Sequence, residues 1–268
     1  MQSAGNLNNN WIKITDHLKN YKYILEDDEQ FGFYLAGLIE GSGTFSKETL
    51  EIEYEKKDVQ ALYWLKKRLG VGTVLKNNNK IKLIVKNKEG LKNIIKLING
   101  KFLTDVKLKE WKTHDWEKDF NFFILPTFHS SLLKYNFFLA GYFDTSGYFK
   151  IEVEPKIKLE CKVEGENLEI LEKIEKIFGG EIKNEKYSTN TITQARYFID
   201  YFDKNTLCTI KYIEYIKWRD CYRIIQRKEH LTNKGLDKIF KLKSSLSKLT
   251  TLKSSETNMP KNPGGFKI

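Results

Sequence analysis

Cysteine is scarce and falls in no recognisable pattern: Cys161, Cys208 and Cys221 are odd in number and show no C-x-x-C spacing. That argues against a disulfide framework and against a zinc ribbon. The four histidines, His17, His114, His129 and His230, are scattered without ligand spacing, so no metal centre is expected from them. No run of about 18 apolar residues occurs, which excludes a membrane-spanning helix. Met1 to Asn10 carries neither an apolar signal core nor an Arg-rich amphipathic stretch. A protein of this kind that works in an organelle is therefore expected to be made there.

The chain has 268 residues, of which 40% are hydrophobic and 13% aromatic, enough for a sizeable core. Its net charge of +11 points to a polyanionic partner, most often nucleic acid. The charge is unevenly placed. Residues 66–101 carry 11 Lys/Arg against one acid and residues 211–268 carry 14 against five, contributing +10 and +9 and leaving −8 for the rest. The candidate phosphate-binding residues in the first segment are Lys66, Lys67, Arg68, Lys76, Lys80 and Lys82. In the second they are Lys217, Arg219, Arg223, Arg227, Lys228, Lys234, Lys238 and Lys241, followed by Lys243. Trp64, Trp218 and Tyr222 are neighbours that could stack on unpaired bases or pack in a core.

Two segments 104 positions apart read almost alike: Leu35-Ala36-Gly37-Leu38-Ile39-Glu40-Gly41-Ser42-Gly43 and Leu139-Ala140-Gly141-Tyr142-Phe143-Asp144-Thr145-Ser146-Gly147. Such duplication predicts a pseudo-symmetric fold. Each segment has helical spacing. Ala36, Gly37 and Gly41 in one and Ala140, Gly141 and Thr145 in the other would let two helix backbones approach closely, forming a central seam. Gly43 and Gly147 are expected to end the helices in the left-handed conformation that glycine adopts at little cost.

Strand patterns follow each segment. Leu50, Ile52 and Tyr54 alternate with Glu51, Glu53 and Glu55, and Ile151 to Val163 alternate with Lys and Glu around a bend at Pro155. Helices are predicted from Asp58 to Leu69 and from Asn167 to Phe178, each ended by glycine. Second hairpins are placed around Asn77–Asn79 and around Asn184–Asn190, each followed by a third helix. Tyr212 to Lys228 reads as an amphipathic helix, with Ile213, Ile216, Tyr222, Ile224 and Ile225 as core candidates. A turn over Leu231–Leu236 precedes a helix from Asp237 to Leu249. This divides the chain into an N-terminal extension (1–30), a first half (31–105), a connector (106–133), a second half with C-terminal helices (134–249) and an extended tail (250–268).

The two nonapeptides resemble the signature of the LAGLIDADG homing endonucleases and group I intron maturases. The resemblance implies an α+β fold of two αββαββα halves packed through the signature helices, here with a basic helical extension. It also implies that the eighth residue of each signature should be an acid that binds the catalytic metal. Those positions hold Ser42 and Ser146, so no catalytic residue and no metal ligand are expected. Glu40 and Asp144, two residues earlier, lie about 200° around the helix and should point elsewhere as structural acids. The saddle of sheets that would face DNA looks short and acidic through Glu51, Glu53 and Glu55, which repel phosphate. The expectation is therefore an inactive relative that binds structured RNA, either ribosomal RNA or a group I intron. It would act in the mitochondrial matrix without a cofactor or a membrane, with other ribonucleoprotein subunits as further partners and DNA binding disfavoured. The alternative is an active or nicking Mg²⁺-dependent homing endonuclease.

Overall fold

A computed structural model describes residue 25 and residues 27–46, 48–76, 80–114 and 116–251. The expected tail beyond residue 251, most of the N-terminal extension and Asn77–Asn79 lie outside the described residues. The first half runs α1 (Asp28–Ser42), β1 (Gly43–Phe45), β2 (Leu50–Glu55), α2 (Val59–Leu69), β3 (Thr73–Lys76), β4 (Lys80–Val85) and α3 (Lys88–Ile98). Helices α4 (Asp105–Lys112) and α5 (Trp116–Phe120) and a 3-10 turn (Ser130–Tyr135) lead to the second half. That half runs α6 (Phe138–Ser146), β5 (Gly147–Glu152), β6 (Lys158–Glu164), α7 (Leu168–Phe178), β7 (Glu181–Lys183), β8 (Lys186–Ser188) and α8 (Ile192–Phe202). Helices α9 (Lys211–Gln226) and α10 (Asn233–Thr251) complete the described chain. Each half is the expected αββαββα unit.

Local chemistry starts and stops these elements where the sequence marks them. Asp27 accepts from Glu29 N and Gln30 N and so caps α1, Asn87 caps α3 through Gly90 N, and Asn167 caps α7 through Glu169 N. Thr191 and Gln194 form a reciprocal capping box on α8. Gly70 ends α2 in the left-handed conformation, with φ of 72°. Gly43 and Gly147 do not: their φ values are −91° and −98°, ordinary extended backbone. Glycine is needed there for space, because a Cβ on Gly43 would stand 2.6 Å from Ile39 Cα and one on Gly147 would enter the Phe143 ring.

The seam is the close contact that the small residues predicted. Helices α1 and α6 pack along each other. A Cβ on Gly37 would lie 2.8 Å from Tyr142 N and nearer still to Phe138 O. One on Gly141 would lie 3.0 Å from Leu38 N and overlap Tyr34 O, and one on Gly41 would overlap Thr145 Oγ1. Ala36 and Ala140 are fully buried beside them.

Two four-stranded antiparallel sheets, ordered β1-β2-β4-β3 and β5-β6-β8-β7, flank the C-terminal end of this seam. Their inner faces bury Leu50, Ile52, Tyr54, Ile81 and Leu83 in one half and Phe149, Ile151, Leu159, Cys161 and Val163 in the other. The duplication extends into the aromatic core. Phe45 stacks on Trp111 at 6.2 Å between centroids, and their counterparts 104 positions on, Phe149 and Tyr215, are 5.7 Å apart. Helix α4 thus does for the first half what α9 does for the second.

Three details differ from the sequence reading. On α9 the fully buried residues are Tyr215, Trp218 and Cys221, whereas Ile213, Ile216 and Ile225 are half-buried at its margins. Helix α10 begins at Asn233, four residues earlier than expected, because Thr232 accepts from Gly235 N and starts the helix there. The last hairpin turns at Asn184 and Glu185, both with positive φ of 50° and 59°, a two-residue turn narrower than the Asn184–Asn190 span around which the hairpin is expected.

Candidate nucleic-acid interface

Both signature helices end at the floor of the saddle, and their position-eight serines are half-buried there. Ser42 Oγ lies 3.5 Å from Leu38 O of its own helix, and Ser146 Oγ lies 3.2 Å from Thr145 Oγ1. A cleft of about 390 Å³ beside Ser42 and Thr145 is lined by Glu51, Glu53, Glu55, Asp58 and Asp144 and by four lysines. Among the described residues no group of three or more His, Cys, Asp or Glu side chains is arranged to hold a metal ion.

The position-six acids point away from the serines and each caps the helix that follows its half. Glu40 accepts from Leu103 N at 2.6 Å, Thr104 N at 3.1 Å and Thr104 Oγ1 at 2.9 Å, at the start of α4. Asp144 accepts from Cys208 N at 2.7 Å, Thr209 Oγ1 at 2.6 Å and Tyr34 Oη at 2.8 Å, at the start of α9. Carboxylates at helix N-termini satisfy free amides and meet the positive end of the helix dipole. Burial nonetheless raises the Glu40 carboxyl to about 7 against these hydrogen bonds, and it raises Asp144 as well.

A buried ionic cluster joins the halves beneath the cleft, and nothing in the sequence reading had singled it out. Asp58, immediately before α2, accepts from Ile210 N at 2.8 Å across the molecule. Lys211 donates to Phe143 O at 3.0 Å, placing its charge at the C-terminal end of α6. Lys57 lies 3.7 Å from Glu214 of α9. Burial raises Asp58 to about 6 and lowers Lys211 to about 8. The sequence signals the two acid caps, not this cluster: Leu103-Thr104 and Cys208-Thr209, which bind Glu40 and Asp144, recur at nearly the signature spacing.

The exposed sheet faces are mosaics of paired charge. Glu51 and Glu53 face the saddle as expected, but Lys82 donates to Glu51 at 3.2 Å and Lys80 pairs with Glu53 across the ladder. Lys80 and Lys82 therefore belong to the saddle and not to an outer basic patch, because β4 is the neighbour of β2. In the second sheet Lys162 pairs with Glu160 at 3.0 Å and Lys186 with Glu164 at 2.9 Å, and Lys150 pairs with Glu152.

The other basic candidates divide into committed and available groups. Arg68 binds Leu25 O and Asp28 and covers the Phe31 ring, so it is structural. Arg219 pairs with Asp203, Arg223 with Asp220 at 3.7 Å, and Arg227 and Lys238 with Glu229 at 2.6 and 3.2 Å. Lys67, Lys76, Lys228, Lys234 and Lys241 are exposed, and Lys66 and Lys217 are half-exposed. Lys234, Lys238, Lys241 and Lys248 recur every turn or two along α10 on one face. Trp218 and Tyr222 are buried and Trp64 packs edge-on against Phe31 and Tyr34, so none of the three offers a ring for stacking.

Comparison with known proteins agrees with this geometry. The family model described as LAGLIDADG endonuclease matches residues 139–222. The "Uncharacterized cox1 intron-2 37.2 kDa protein" of Schizosaccharomyces pombe is 35% identical over 248 residues, 86% of this chain and 75% of that protein. "Probable intron-encoded endonuclease 4" of Neurospora crassa is 27% identical over 92% of this chain, which spans half of it. "Intron-encoded RNA maturase bI4" of Saccharomyces cerevisiae is 26% identical over 63% of this chain and 27% of its own length. Among solved structures, the I-SmaMI LAGLIDADG homing endonuclease bound to cleaved DNA superposes with a TM-score of 0.62 at 19% identity, over 81% of this chain and 97% of that one. The chain belongs to the LAGLIDADG endonuclease family, in its single-chain form with two signatures.

Proposed function

We propose that this chain binds structured RNA and does not cut DNA, acting as a group I intron maturase or as an RNA-bound component of a mitochondrial ribonucleoprotein such as the ribosome. The carrying observation is the pair of serines, Ser42 and Ser146, at the ends of the seam. Each stands where the family's signature has a carboxylate. Mg²⁺ requires hard and preferably anionic oxygens, and phosphodiester cleavage requires their charge. The residues present do not fit that ion. A hydroxyl brings no charge, and the nearby acids are engaged: Asp144 and Asp58 by backbone amides, Glu51 and Glu53 by lysines.

The RNA half of the proposal is supported by where positive charge is left over. In the first sheet Lys80 and Lys82 are paired with Glu53 and Glu51, while Lys67, Lys76, Lys228, Lys234 and Lys241 remain exposed on other surfaces. Of the two RNA contexts, the maturase is favoured by the intron-borne character of the relatives, and the cox1 relative favours the mitochondrial matrix.

A second reading, DNA cleavage with displaced ligands, is favoured by one observation: five carboxylates line the cleft beside Ser42. Crosslinking in the native organelle followed by sequencing, together with a Mg²⁺-dependent cleavage assay on DNA flanking the gene, separates the readings. Intron reads without cleavage are expected, and ribosomal RNA reads would move the chain into the ribosome. Site-specific cuts abolished by Asp144→Asn, in protein shown to remain folded, would overturn the proposal.

A further inference from the structure

Phe123 is 87% exposed, the most exposed large hydrophobic side chain among the described residues. It is held there by design of the backbone around it. The Asn99 amide donates to Phe123 O at 2.8 Å and accepts from Leu125 N at 2.9 Å, clamping the chain on both sides of Ile124. Ile124 N in turn donates to Glu117 Oε1 at 3.0 Å, and its side chain packs against the core. Side chains of an extended segment alternate, so with Ile124 turned inward Phe123 and Leu125 project outward.

Beside this clamp runs a row of cations. Lys88, Lys92, Lys96 and Asn99 recur every three or four residues and therefore share one face of α3 and its C-cap. Lys88 Nζ lies 5.9 Å from the Phe120 ring at one end of the row, and Asn99 grips residues 123 and 125 at the other. Segment 120–125 thus runs alongside the lysines. Lys88 and Lys96 are exposed and Lys92 half-exposed, and among the described residues none of the three is ion-paired. Of the acids nearest in sequence, Glu117 is already bound to Ile124 N, while Glu89 and Asp119 are exposed.

We infer that Phe123, with Lys92 and Lys96, is a platform for an unpaired RNA nucleotide, the ring stacking on a base and the lysines holding its flanking phosphates. This rests on the RNA reading above and locates a contact within it. An exposed, pre-positioned aromatic beside a row of free cations is the arrangement that single-stranded nucleic acid binds, by stacking plus backbone attraction. A protein partner would need a wider apolar patch than Phe123 and Leu125 with lysines beside them.

Fluorescence anisotropy of the full chain with labelled oligouridine RNA of about 12 nucleotides, the matching single-stranded DNA and an RNA duplex tests it. Phe123→Ala is expected to weaken single-strand RNA binding about tenfold, Phe123→Tyr to restore it, and duplex binding to be unchanged by either. Lys92→Ala with Lys96→Ala should weaken binding and reduce the salt slope by about 1.4. An equal loss on single-stranded DNA would still place the base on the ring. Single-strand affinity of Phe123→Ala equal to wild type would overturn the platform while leaving the RNA reading intact. Failure of the wild-type chain to bind any RNA would overturn both, and loss of self-association in Phe123→Ala without loss of RNA affinity would mark a protein interface instead. An unchanged unfolding midpoint verifies that the variant is folded.

Discussion

Thr209 Oγ1 donates to Asp144 Oδ1 at 2.6 Å, and in the other half Thr104 Oγ1 donates to Glu40 Oε2 at 2.9 Å. The paired contacts fasten each signature helix to the helix that closes its own half. Asp144 is the more heavily used, since it also receives Tyr34 from across the seam. Asp144→Ala leaves a hydroxyl, amides and a phenol unsatisfied beside a buried Lys211, and is expected to cost roughly 3–5 kcal/mol. Asp144→Asn keeps an acceptor oxygen and should cost less. Urea unfolding measures both, and an unchanged midpoint for Asp144→Ala would show that the acid is not a cap.

Close approach at the seam predicts a contrast among glycines. Gly37→Ala or Gly141→Ala drives a methyl group into backbone of the facing helix, which cannot rotate aside, so a loss of about 3 kcal/mol or more is expected. Gly70→Ala meets nothing within 4 Å and is penalised only by its φ of 72°, about 1 kcal/mol. Thermal or urea unfolding of the three variants should rank them in that order, and equal costs would contradict the seam geometry.

The seam, the two αββαββα units and the capped helix starts were legible because they are local: spacing of Gly37, Gly41 and Gly141, alternation at Leu50–Tyr54, and capping residues at Asn167 and Thr191. The interface was less so, because charge pairing across strands depends on sheet order. Lys80 and Lys82 look like part of a basic segment in sequence, yet β4 sits beside β2 and sets them against Glu53 and Glu51. Arg68 and Arg219 likewise read as phosphate contacts in sequence, yet the fold sets Asp28 and Asp203 beside them. Asp58 and Ile210 are 152 residues apart, a contact no periodicity reports. At Gly43 and Gly147 space, not left-handed backbone, selects glycine, a distinction that depends on the packing of Ile39 and Phe143 and not on the sequence pattern.

Stability should have a shallow minimum near neutral to slightly alkaline pH. Glu40 and Asp58 are raised in the fold to about 7 and about 6, so the folded state holds their protons more tightly than the unfolded chain. Their stabilising contribution is present at low pH and is lost as pH rises through about 4 to 7. Lys211 is lowered to about 8, so the unfolded chain binds its proton more tightly and stability recovers as pH rises from about 8 towards 10. Unfolding midpoints between pH 5 and 9 should trace this shape. Glu40→Gln, which keeps a hydrogen-bond acceptor without titrating, should flatten the falling arm; a wild-type midpoint that climbs steadily from pH 5 to 7 would contradict the assignment.

Spent and free lysines should behave differently toward RNA. Lys80 and Lys82 are neutralised by Glu53 and Glu51, so Lys80→Ala with Lys82→Ala is expected to leave RNA affinity within about twofold. Lys234 and Lys241 share an exposed face of α10 without a carboxylate partner among the described residues. Replacing both with Ala removes two potential phosphate contacts, which should weaken binding at low salt and reduce the slope of log affinity against log salt by about 1.4 to 1.8. Filter binding across a salt series reads both quantities for each pair of substitutions. If the saddle pair carried the salt slope and the α10 pair did not, nucleic acid would lie in the saddle, and the outer-surface assignment would fall with it.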